Sequence, residues 1–240
     1  LPPGQEPLSP WARAALDATD TLAVEADLPD APAELTPLLV ELGVARDGRT
    51  LSSRLTPRDA ARLDAAARKA GLAPAALEPL QPWRAASTIA SAALTAAGLS
   101  HDAGADMQLK AGARAAGKPV EALETVREQF GFLAGLPERE QAAMLVATLG
   151  ELDNLEGEMR PLLRRWLRGD AESVARALNR SLRATPDLAR VLIAERNARW
   201  AAWIDDRLVF MAVGVGHLGG PDSVQVLLQR RGLKATRITR

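Results

Sequence analysis

His217 is one of only two histidines in this chain, and its setting could do chemistry. It closes Gly214-Val215-Gly216-His217, directly after the apolar run Leu208-Val209-Phe210-Met211-Ala212-Val213. Two glutamates occupy comparable places. Glu25 follows Thr21-Leu22-Ala23-Val24, and Glu124 follows the segment 118–123. An imidazole gathered with two carboxylates can bind a divalent metal or transfer a proton. Gly214 and Gly216 permit close backbone approach and positive φ, which would present the imidazole sharply at a rim. The plainer reading makes His217 a cap on the next helix. Under it the two glutamates are simply charges favoured by the dipoles of the helices that follow them.

A fourth group joins these three. Over residues 185–207 the pattern is helical, each residue advancing by roughly 100°. Leu188, Leu192, Trp200 and Trp203 fall on one stripe, with Arg196 inside it and Asn197 at its edge. A guanidinium on a buried face needs an acidic partner, because an unpaired buried charge is very costly. Glu25 and Glu124 are the candidates. The alternative is an Arg whose stem packs while its head reaches water.

These side chains need elements to position them. The run 208–213 has no polar alternation, and it predicts a strand buried on both faces of a parallel sheet. Such sheets place ligands beyond the carboxyl ends of their strands. Residues 21–24 and 118–123 read as further strands, and 235–239 as an edge strand. Pro10 opens a helix to residue 18, and others are predicted over 33–43, 57–71, 82–97 and 106–116. Thr125 with Glu128 forms a capping box just after Glu124. More helices follow from Pro137, over 152–167, 170–182 and 185–207, and over 221–230. The order gives an α/β fold, a mainly parallel central sheet flanked by helices. One domain over 1–240 is expected, with helical insertions at about 32–116 and 137–184.

Composition narrows the partners. Apolar residues make up 47% of the 240, charged residues 25%, and the net charge is zero, so no basic field argues for nucleic acid. No apolar run is long enough for a membrane span. Cysteine is absent, which removes thiolate nucleophiles and cysteine-based metal sites. His101 sits in a loop-like stretch with no ligand spacing around it, and reads as a surface residue. Trp11, Trp83 and Trp166 read as packing residues. The glycines around 214–220 lack both the P-loop Lys-Ser/Thr and the dinucleotide spacing.

Four stretches together resemble the TraB/GumN family, related to the Tiki metalloproteases. They are A-A-L-D-A-T-D-T-L-A-V-E-A-D over 14–27, G-K-P-V-E-A-L-E-T-V-R-E-Q over 117–129, E-R-N-A-R-W-A-A-W-I over 195–204, and V-G-V-G-H-L-G-G-P-D-S-V-Q-V-L-L over 213–228. The resemblance implies a sheet-based α/β fold shared with erythromycin-esterase-like and haem- or iron-binding relatives. It implies a site of two G-x-x-H motifs with acidic, Arg and Asn residues. Gly214 to His217 matches the second G-x-x-H, Glu124 the glutamate of the L-E-T motif, Arg196-Asn197 the R-N pair, and Glu25 the acid ending an early strand. The family's first G-x-x-H precedes the stretch matching 14–27. This chain starts at Leu1 with no initiator Met or signal-like segment, and no such motif stands there. His101, on another element, does not replace it. The expectation is half a histidine site, the strand having been either removed or absent by nature.

The resemblance therefore implies a divalent-metal-dependent, peptidase-like hydrolase, with its site at the carboxyl ends of the strands. His217 and Glu124 (or Glu25) would hold the metal, Gly214 would shape the turn, and Arg196 and Asn197 would order the acids or stabilise oxyanion charge. The substrate would be a peptide or protein, with no nucleic acid and no membrane insertion, and the location bacterial periplasmic or secreted. The alternatives are a non-catalytic peptide, haem or metal-binding protein using the same crevice, and a metal-free esterase built on histidine and glutamate.

Overall fold

Three short strands carry the site: β1 (Thr21–Val24), β2 (Val120–Ala122) and β3 (Val209–Ala212), all parallel, in the order β2-β1-β3. The computed structural model describes residues 10–99, 104–180, 182, 186–204 and 207–236. The register pairs Val24 with Ala122 on one side and Ala212 on the other, so the three strands end level. Pairing runs on past the strands: Leu123 N–H donates to the Val24 carbonyl and Glu124 N–H to the Glu25 carbonyl, each at 2.9 Å. That extension fixes the backbones of the two glutamates side by side.

The strand buried on both faces is β1, not β3. Leu22 and Ala23 have no exposure and Val24 only 2%, whereas β3 is half-buried throughout and Leu208 is 62% exposed. The reason is position. Among the described residues β3 pairs with β1 alone and lies at the edge, so its apolar run marks a strand without marking depth.

The chain divides into two compact units. One, spanning 9–27, 112–124 and 159–240, holds the sheet. Its helices include α1 (Pro10–Asp17), α9 (Ala171–Leu178), α10 (Pro186–Ala189), α11 (Glu195–Ile204) and α12 (Val224–Arg230). The other, spanning 1–8, 28–111 and 125–158, is helical among its described residues. It contains α2 (Thr36–Gly43), α3 (Pro57–Lys69), α4 (Pro82–Ala96), α6 (Val126–Ala134) and α7 (Glu138–Leu152). The segments α5 (Ala105–Ala115) and α8 (Leu155–Leu167) carry the chain from one unit to the other. The whole is an α/β fold with a small parallel sheet, flanking helices and large helical insertions. Among the described residues no helix is long and apolar enough to cross a membrane.

Capping explains where helices begin. Thr56 accepts the Asp59 N–H at 3.2 Å to start α3, and Asp170 accepts that of Ser173 at 3.2 Å to start α9. Thr125 and Glu128 complete the capping box of α6. The helical unit closes on an apolar cluster that includes Leu51, Leu63, Ile89, Leu145 and Leu149.

Three details depart from expectation. The helix expected to reach 182 stops at Leu178. The long helix to 204 is interrupted by a π turn, Arg190–Ala194, joining α10 to α11. Ala235 and Thr236 form no strand; 237–239, like His101 and Thr185, lie outside the described residues.

Candidate functional site

Past the level strand ends, five predicted residues converge on one polar centre. Glu25 follows β1, Glu124 follows β2, and β3 leads through Gly214 into a 3₁₀ turn, Val215–Leu218, that carries His217. Arg196 and Asn197 come from the first turn of α11. Glu124, Arg196, Asn197 and His217 are all buried. Glu25 is the most open, with 20% of its side chain exposed.

Arg196 is the hub. Its Nε donates to both Glu124 oxygens at 3.0 Å. Its Nη2 reaches Glu25 Oε2 at 2.9 Å and Glu124 Oε2 at 2.8 Å. Its Nη1 lies 3.2 Å from His217 Nε2 and donates to the Leu192 carbonyl at 3.3 Å. The acidic partner inferred for a buried guanidinium is thus a pair of acids. Burial alone would pull the Arg196 pKa down, but the Glu124 hydrogen bond and the two carboxylate charges raise it above its ordinary value.

Arg199, one turn further along α11, donates to Glu124 Oε1 at 2.8 Å while remaining half exposed. Two guanidiniums therefore balance two carboxylates. Sequence reasoning passed over Arg199, although its i+3 spacing from Arg196 puts both on one helix face.

Hydrogen bonding settles the imidazole's tautomer. Asn197 Oδ1 can only accept, so the 2.7 Å contact with Nδ1 places the proton on Nδ1. Nε2 then keeps its lone pair and accepts from Arg196. Asn197 Nδ2 donates to the carbonyls of His217 (3.2 Å) and Asp222 (2.7 Å), tying the turn down on both sides. Trp200 covers the centre: its ring lies 4.4 Å from the imidazole and 4.8 Å from the Arg196 guanidinium carbon. Its indole N–H is buried and has no partner among the described residues. Burial pushes the His217 pKa down to about 4, the Arg196 charge acting the same way and Glu25 opposing both. The ring is neutral at pH 7.

The glycines serve by lacking a Cβ rather than by positive φ. Gly214 has φ −54°. Its N–H donates to Glu25 Oε1, and a Cβ there would lie 3.0 Å from that oxygen. A Cβ at Gly216 would lie 3.0 Å from Asn179 Oδ1, while Asn179 Nδ2 donates to the Gly216 carbonyl at 2.8 Å. Asn179 stands 37 residues before Gly216, and no local pattern in the sequence marks it.

The donor chemistry matches a divalent cation in kind. An imidazole fixed through Nδ1, with Nε2 carrying the lone pair, is the form that ligates metals. Glu25 Oε1 lies 3.9 Å from Nε2, whereas Glu124 spends both oxygens on guanidiniums. In number the set is short: among the described residues no three His, Asp or Glu side chains are arranged to hold a metal.

A parallel sheet whose level strand ends gather a G-x-x-H imidazole, two glutamates and an Arg-Asn pair defines an α/β protein with one polar centre at the strand termini. The chain belongs to the TraB/PrgY/gumN family, whose model matches residues 1–237. No curated protein and no solved structure matches it.

Proposed function

We propose that the polar centre is the site of a divalent-metal-dependent, peptidase-like hydrolase, acting at the carboxyl ends of the strands. The observation that carries this reading is the preset imidazole, its Nδ1–H held by Asn197 and its lone pair on Nε2, 3.9 Å from Glu25 Oε1, where an ion would replace the Arg196 Nη1–H that donates to it. His217 and Glu25 would hold the ion together with a further donor, the place the family resemblance gives to a second histidine. A bound divalent ion supplies Lewis acidity toward a carbonyl oxygen and brings the pKa of a water near neutrality. The remaining work falls to this chain's side chains. Asn197 keeps the imidazole in one tautomer and one orientation. Arg196, clamped by Glu124 at its Nε, holds Glu25 in place through its Nη2. A peptide or protein is the substrate, and a periplasmic or secreted location accords with the resemblance.

The test reads metal binding and turnover separately. Calorimetric titration of the chain with Zn²⁺ or Mn²⁺ should show a site weakened by at least about 10-fold in His217→Ala and in Glu25→Gln, the scale set by losing a ligand or its support. Peptide cleavage by the protein carrying an upstream G-x-x-H should be stimulated by the metal and stopped by chelation. His217→Ala should abolish it. Unchanged turnover in that variant rejects the assignment, and full activity after exhaustive chelation points to a metal-free esterase.

One observation favours a second reading, a non-catalytic binding protein for a peptide, haem or metal. Arg196 Nη1 already occupies the Nε2 lone pair, so the centre is closed by an internal cation. Tight ligand binding with no turnover under any metal would select it.

A further inference from the structure

Beside the polar centre lies a cavity of about 630 Å³ to which no role has been given. One wall is α9, through Ala175 and Asn179; another is the end of α10 with the π turn, through Ala189, Ile193 and Ala194; the third is the loop 219–222, through Pro221. We propose that this cavity receives an apolar side chain of the peptide substrate and sets the preference of the enzyme. The proposal rests on the peptidase reading above.

Each wall is tied directly to a residue of the centre. The π turn runs without a break into Arg196 and Asn197. The loop continues from His217, and its Asp222 carbonyl accepts from Asn197 Nδ2. Asn179 on α9 holds the Gly216 carbonyl. A side chain seated here would therefore fix the backbone that bears it against the same residues that hold the imidazole. Substrate positioning needs such a rigid connection.

The lining decides the chemistry of the guest. Charged groups also line it, in ion pairs that are about half exposed to water, so their heads are solvated while the aliphatic lining is not. Glu172 accepts from Arg176 at 3.3 Å and from the Gly220 N–H at 3.2 Å, and Arg190 pairs with Glu195. Asp222 lies 4.0 Å from Arg230. The aliphatic part of the lining includes Ala175, Ala189, Ala194, Ile193 and Pro221, and the short alanine side chains keep the space open. The glycines shape it too. A Cβ on Gly219 would lie 2.4 Å from the Ala175 Cβ, and Gly220 turns with φ +85°, so only glycines let the loop lie this close to α9. The π turn adds a residue to one helical turn, a distortion that recurs at functional sites. The volume falls within the range of small-ligand pockets, about 300–1,000 Å³, and admits a Leu or Phe side chain with its flanking backbone.

The experiment compares capped tripeptide amides that differ only at the central residue, titrated calorimetrically into the whole chain without added metal. Leu and Phe peptides should bind at least about 10-fold more tightly than the Gly peptide, the ratio expected for burying one large apolar side chain. Ala194→Trp and Ala189→Phe, each filling the cavity, should erase that ratio and leave the Gly peptide within about twofold of wild type. Equal binding of all three peptides to wild type, or a preference that persists in a folded cavity-filling variant, overturns the proposal. Preference without cleavage by the metal-loaded, histidine-complete protein overturns the hydrolase reading and leaves the cavity assignment standing. Cleavage without preference does the reverse.

Discussion

The two units have opposite kinds of centre. In the helical unit, Leu51, Leu145 and Leu149 meet Leu63, Ala67 and Ile89 in a cluster with almost no exposure and no charge among its members. In the sheet unit, beside buried apolar residues such as Leu22, Ala23 and Val174, comparable depth is also occupied by Glu124, Arg196, Asn197 and His217. The first centre follows from burying apolar area, which is non-directional and tolerant of rearrangement. The second costs desolvation for every charge and is recovered only by pairing with defined geometry. A chain able to build the first has no need of the second for stability alone. The contrast supports the proposal of a site at the second centre, while the first serves packing.

The largest effect should come from breaking the polar centre. Glu124→Ala removes one of the two carboxylates that pair with Arg196 and strips Arg199 of its buried acceptor. Urea unfolding should show a loss of about 5 kcal/mol, the upper end of the range for removing one partner of a buried pair. A loss below about 1 kcal/mol would mean that water replaces the carboxylate and that the centre is not sealed. The apolar centre offers the matching change. Leu145→Ala should cost about 3–4 kcal/mol through lost transfer energy and the cavity left behind. The two should differ in their partners. Truncating Leu145 leaves no unsatisfied polar atom, so the Zn²⁺ or Mn²⁺ titration of the folded variant should match wild type. A changed metal affinity in Leu145→Ala would erase the division of labour between the centres.

Much of the polar centre could be read in advance, because chemistry and periodicity marked it together. Glu25, Glu124 and His217 were legible as strand-end residues, and parallel strands that end level bring such residues together. Arg196 was legible as a charge on an apolar helix face. The capping box at Thr125 and the positions of most helices followed from local signals. What escaped depends on distance along the chain or on sheet order. Nothing in the run 208–213 tells that, among the described residues, β3 lies at the edge and β1 between two partners, since sheet order is decided by packing between segments. Asn179 and Glu172 serve the turn around His217 from far upstream, through contacts that leave no periodic trace. The π turn was hidden because inserting one residue disturbs the helical stripe by less than a full step. At Gly214 the expected close approach is present and the expected positive φ is not, for a different reason. Glycine answers two needs, positive φ and absence of a Cβ, and the sequence does not distinguish them.

The smallest effect sharpens the comparison through pH. His217 has its folded pKa lowered to about 4 from an ordinary value of 6.5, with burial as the leading cause. Above pH 6.5 the ring is neutral in both folded and unfolded chains and contributes no pH dependence. As pH falls from 6.5 toward 4 the unfolded chain takes up the proton and the folded one does not, so the equilibrium moves toward unfolding. Below about 4 the difference is complete and the slope vanishes. At about 1.4 kcal/mol per pKa unit, the loss across this window is about 2–3 kcal/mol. His217→Gln removes the titrating group, so its urea midpoint should fall less than that of wild type between pH 7 and pH 4.5. Glu25 and Arg196, the charged groups facing the ring, stay in place in that comparison, and the difference between the two profiles isolates the imidazole. The Leu145→Ala profile should run parallel to wild type, because the apolar centre holds no proton to exchange. Parallel profiles for wild type and His217→Gln would place the imidazole in contact with water, and the polar centre would then be a surface cluster rather than the buried counterpart of the leucine core.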